Sequence, residues 1–110
     1  MKHVMYAEKS LLMGDEVVDL VMEYAVLLAN RQSADSVNIK AIGADGAEVT
    51  ATFLIGPATI MVAESTTTAM PEPDNATAEE YLRSHIHSIK SPSPAHGLDD
   101  DSTIVYDDDL

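Results

Sequence analysis

Residues 47–55 read Ala47-Glu48-Val49-Thr50-Ala51-Thr52-Phe53-Leu54-Ile55, and their alternation decides the fold class. Val49, Ala51, Phe53 and Ile55 fall on one face of an extended chain, and Glu48, Thr50, Thr52 and Leu54 fall on the other. A period of two with one apolar face is the pattern of a strand half in the core and half in water. Two further runs of strand composition flank it, Val37–Ile42 and Thr59–Glu64. The link Gly43-Ala44-Asp45-Gly46 carries an Asp-Gly step that tolerates positive φ, and Gly56-Pro57-Ala58 is short, so both links read as tight hairpins and the three runs as an antiparallel meander.

Upstream of these strands the period changes. From Asp15 to about Arg31, Glu16, Asp19, Glu23 and Asn30 form a narrow polar stripe, with apolar residues around the rest of the circumference. Gly14-Asp15 supplies the stop and the N-cap of this helix, and the acids lie near the positive end of its dipole. So wide an apolar face asks for more than one sheet surface. The N-terminal segment and a second helix can cover it, or it can form a dimer seam. The second helix is expected at about 76–88, capped by Asn75 or Thr77, with Ala78, Leu82, Ile86 and Ile89 along one side. His3–Ala7 and Ser10–Met13 read as a short hairpin. The expected architecture is α+β: a mainly antiparallel sheet of three to five strands packed by a long helix (15–31) and a shorter C-terminal helix (76–88), in the order ββαβββα.

One domain, residues 1–90, is expected in this chain of 110 residues, followed by an acidic tail at 91–110 that lacks the apolar content to order itself. The tail contains Asp99, Asp100, Asp101, then Ser102 and Thr103 before Ile104, Val105 and Tyr106, then Asp107, Asp108 and Asp109. This run resembles acidic-flanked β-addition motifs that bind small modifier proteins, with the acids meeting a basic rim and the apolar trio adding an edge strand. A solubilising tail accounts for the same residues.

The formal net charge is −13. Residues 1–90 hold thirteen acids and all six bases, a balance of −7, so the folded part is acidic in its own right. Such a surface repels phosphates and anionic lipid, which disfavours direct nucleic-acid or membrane binding, and it suits a basic protein partner. No cysteine is present, which removes disulfides, thiolate zinc sites and cysteine nucleophiles. The N-terminus has no signal-peptide core and no apolar run spans a bilayer, so a cytoplasmic protein is expected and the acceptor triplet Asn75-Ala76-Thr77 is expected to stay unglycosylated.

No catalytic, cofactor or metal constellation stands out. His85 and His87, two apart on a helix, point about 200° from each other and cannot share a metal. His3 and His96 are expected in loosely held segments. No glycine loop of phosphate-binding type and no nucleophile elbow occurs. The acid pairs Asp15/Glu16 and Glu79/Glu80 each open a helix, where the dipole explains them. The leading functional expectation is a non-catalytic interaction or regulatory module engaging a basic partner through its acidic surface or tail. Its alternatives are a nucleic-acid mimic that inhibits a basic protein, a structural subunit of a larger particle, and a small enzyme or ligand-binding subunit. The last would use a site between sheet and helix or across a dimer, formed by Tyr24, Glu64 or His85.

Overall fold

The computed structural model describes residues 1–91 and shows an antiparallel five-stranded sheet packed against two helices, in the order ββαβββα. Strands β1 (Lys2–Tyr6) and β2 (Lys9–Met13) form the N-terminal hairpin, turned at Ala7, whose φ is +55°. Helix α1 (Asp15–Asn30) follows, then β3 (Asp35–Ile42), β4 (Glu48–Ile55), β5 (Met61–Ser65) and α2 (Ala76–Lys90). The tail residues 99–109 named above, like His96, lie outside the described residues.

β3 and β4 pair along their whole length, from Asp35 opposite Ile55 to Ile42 opposite Glu48. Their turn is the expected one: Gly46 has φ +86°, its N–H bonds Gly43 O at 3.0 Å, and Gly43 N–H bonds Ala47 O at 2.9 Å. The expected meander stops there. β5 does not return along β4 but pairs with β1, Val4 opposite Ala63, giving the strand order β4-β3-β2-β1-β5. Gly56-Pro57-Ala58 is therefore no hairpin turn. Gly56 N–H donates to Thr59 Oγ1 at 2.8 Å and Thr59 N–H to Gly56 O at 3.0 Å, a local turn that sends the chain across to the free edge of β1. β4, expected in the middle, is an edge strand. His3, expected in a loose segment, stands in β1 between Leu12 and Glu64 of its neighbours, because β1 needs two partners and finds both.

The core gathers Val4, Met13, Val17, Val18, Val21, Ile39, Phe53, Ile55, Leu82 and Ile86 on the helix-bearing face. The sheet is strongly coiled: Tyr6 of β1 meets Phe53 of β4 edge to face, with ring centroids 5.5 Å apart, although two strands separate them in the sheet. The wide apolar face of α1 is divided between sheet and α2, and among its large apolar side chains Val26 is left well exposed, at 59%. Arg83 of α2 pairs with Glu16 of α1 and, at 3.9 Å, with Glu79 one turn back. Asp15 proves to be the first residue of α1 and Gly14 its cap position, where no side chain bonds the helix end.

Candidate functional site

β3 has two edges, and only one is fully used. Pairing between β2 and β3 is confined to Leu12 opposite Ile42, because the chain turns into α1 directly after Met13. Two residues along, Asn75 takes over: its Oδ1 accepts from Lys40 N–H and its Nδ2 donates to Lys40 O, both at 2.8 Å. One side-chain amide thus supplies both bonds that a neighbouring strand would have made. Asn75 is 6% exposed and the buried polar residue among those described, so its position at the start of α2 serves the sheet rather than the helix. The expected side-chain cap is absent for that reason, and Asp74 instead accepts the Ala76 N–H at 3.0 Å. The triplet's acceptor nitrogen is likewise consumed inside the protein.

Because antiparallel pairing alternates, the backbone groups of Ser36 and Asn38 point the same way as those of Lys40, away from β4. Beyond Asn75 no strand among the described residues meets them. A groove of about 370 Å³ opens along this stretch, walled by Ser36, Val37 and Asn38 on one side and by Thr77, Ala78 and Tyr81 of α2 on the other. Asn38 is held in place by Thr52 Oγ1, which donates to its Oδ1 at 2.7 Å.

At the far end of the groove lies a polar cluster. Tyr24 of α1 and Tyr81 of α2 both donate to Asp35 Oδ2, at 2.7 and 2.6 Å, and Ser36 N–H donates to Oδ1 at 2.8 Å. His85 stacks on Tyr81 with ring centroids 3.9 Å apart, meets Tyr24 edge to face, and has Nδ1 2.9 Å from Tyr81 O. Burial raises the Asp35 carboxyl, but the donors from Tyr81, Tyr24 and Ser36, with the charge of His85, outweigh it and hold the group below its ordinary value. Tyr24 is pushed up by burial and by its bond to Asp35, and Tyr81 by its bond to Asp35 and then by burial. An ionised carboxylate with three donors on it, facing two phenols held protonated, is equipped to fix geometry rather than to abstract protons.

Of the residues singled out from sequence, Tyr24 and His85 meet here. Glu64 does not, since it sits in β5 opposite His3. Asp35 and Tyr81 escaped notice, although Tyr81 and His85 stand one helical turn apart on α2. Threonines 52, 59 and 66 spend their hydroxyls internally, Thr66 on Met1 O at 2.8 Å. No group of three or more His, Cys, Asp or Glu among the described residues is placed to hold a metal, and no helix among them is long and apolar enough to cross a membrane. Comparison with protein-family models, with curated proteins and with solved structures finds no match to this chain.

Proposed function

We propose that the protein is a non-catalytic recognition module that binds a short, extended, basic peptide segment by strand addition to the free stretch of β3. The observation that carries this reading is the interrupted edge: the backbone groups of Asn38 and the carbonyl of Ser36, whose N–H is held by Asp35, face a groove in which no strand lies. An extended peptide satisfies such groups with its own backbone and places alternate side chains against the walls. The basic character follows from charge. Asp74 lines the groove beside Lys40, the ionised Asp35 is bonded to Tyr81 in its wall, and residues 1–90 carry −7 in all. A contact this short suits a weak, transient association. The acidic tail extends the same electrostatic attraction to the partner.

A small ligand in the groove is the second reading, favoured by a volume within the range of roughly 300–1,000 Å³ found for such sites and by the aromatic wall of Tyr81.

Amide NMR of the full chain, titrated with a synthetic peptide alternating Val and Thr between terminal lysines, separates the two. Strand addition shifts Ser36, Asn38 and Thr77 and slows exchange at Asn38. Both effects vanish in Asn38→Pro, which removes a donor facing the groove and no backbone bond to β4, and in Thr77→Trp, which fills it. Shifts at these residues from a small-molecule collection and none from the peptide support the second reading. Silence from both overturns the site.

A further inference from the structure

Residues 49–63, Val49 to Ala63, contain no charged side chain, fifteen positions in succession within a chain of net charge −13. They form β4 after its first residue, Glu48, the crossing to β5 and the first half of β5. The stretch is also where apolar groups reach water: Leu54 is 63% exposed, Ile60 82% and Val62 50%. A shallow hollow of about 490 Å³ lies between Tyr6, Leu54, Pro57 and Ile60 and has no charged residue in its lining.

The outer edge of β4 runs into this hollow at Leu54, while Val62 stands on β5 at the opposite edge of the sheet. Residues 49, 51, 53 and 55 bond toward β3, so the backbone groups of Glu48, Thr50 and Thr52 point outward. The carbonyl of Leu54 is taken by the Tyr6 hydroxyl, with Thr59 Oγ1 3.3 Å away, which leaves Glu48–Thr52 as the open length. Its pairing with β3 is continuous, without a bulge, and it holds no proline or lysine. These are the devices by which sheet edges are ordinarily guarded against association.

We infer that a second copy of this chain pairs through this uncharged face, with the outer edge of β4 as the hydrogen-bonded seam. A basic partner gains nothing where acids are missing. Two copies of a strongly acidic chain, by contrast, meet with the least local repulsion where charges are few, and Glu48 is the one charged residue of the open length of this edge. The edge is self-complementary. Antiparallel pairing about Thr50 sets that residue against its own equivalent, a favourable cross-strand threonine pair, and sets Glu48 against Thr52, which keeps the two carboxylates apart. The outward backbone groups of the seam lie on the edge of the β3–β4 hairpin opposite to the β3 groups that face the groove, although the Thr50 side chain also lines the groove.

Sedimentation velocity of the full chain, from micromolar to millimolar and across a salt series, tests the pairing. A monomer–dimer equilibrium is expected that moves toward dimer as salt rises, because salt screens the repulsion of the remaining surface. Ile60→Glu weakens it by about tenfold or more, Thr50→Pro abolishes it by removing an outward N–H, and Val26→Glu, on α1, leaves it unchanged. Circular dichroism checks that the variants fold. Should Thr50→Pro fail to fold, Ile60→Glu, on the exposed crossing, decides alone. A monomer at every salt concentration, a dimer indifferent to Ile60→Glu, or assembly beyond the dimer overturns the inference.

Discussion

Tyr24 and Tyr81 stand on different helices and donate to the same oxygen, Asp35 Oδ2, so one carboxylate at the start of β3 ties α1 and α2 to the sheet. Its titration shapes the stability profile. With the Asp35 carboxyl below its ordinary 3.8, the cluster's contribution is present above that value and is lost as pH falls through the depressed one. With both phenols raised above 10.0, their contribution is full below that value and lost only as pH rises through the raised ones. Tyr24→Phe should cost about 1–2 kcal/mol in urea unfolding at neutral pH, and Tyr81→Phe less because it is more exposed. Asp35→Asn should flatten both limbs of the pH–stability curve, and an unchanged acid limb would refute the role given to this carboxylate.

Asn75 stands in for a strand. Asn75→Ala leaves both backbone groups of Lys40 without protein partners at the edge of the groove, and a loss of about 1–3 kcal/mol follows. Asn75→Asp keeps the acceptor but turns a donor into a negative oxygen facing the Lys40 carbonyl, so it should be no better than alanine. Chemical denaturation measures both. Equal stability of the asparagine and aspartate proteins would contradict the paired geometry.

Gly46 adopts φ +86° with no atom within 4 Å of where a Cβ would stand. Gly46→Ala is therefore opposed by backbone conformation and not by collision, at a cost of about 1 kcal/mol. Asparagine, which tolerates positive φ, should recover part of it. A thermal scan of the two variants gives the order.

Salt should act in opposite directions on the two proposed contacts. The groove draws a basic peptide by unlike charges, and its affinity should fall as ionic strength rises. The seam, which keeps the two Glu48 carboxylates apart, works against like charges and should tighten. Titrating peptide into the full chain at low and high salt, alongside sedimentation under the same buffers, reads both signs, and a common sign would disprove one of the two assignments.

The elements were legible in the sequence because each has its own period: two in Glu48–Ile55, between three and four in Asp15–Asn30 and Ala76–Lys90. Strand order was not. A short link after Ile55 suits a hairpin, and nothing local reveals that Met61–Ser65 belongs beside Lys2–Tyr6, a pairing between residues about sixty apart. The site was half visible. Tyr24 and His85 drew attention by type, whereas Asp35 fell between the expected helix and the expected strand and Asn75 had an ordinary reading as a helix cap. Both acquire their roles only when β3 and α2 are brought together, which no spacing along the chain encodes.

The pairing of β1 with β5 also bears on synthesis. As the chain emerges from the ribosome, the β1–β2 hairpin precedes the strand that completes it, which arrives only with Met61–Ser65. Until then β1 presents a bare edge and Val4 lacks its neighbour Ala63. Closure of so distant a pair is slow relative to helix or hairpin formation. The nascent protein thus passes through an interval in which α1 and the β3–β4 hairpin can form while the sheet cannot close, and in that interval it is most exposed to chaperones and to misassembly.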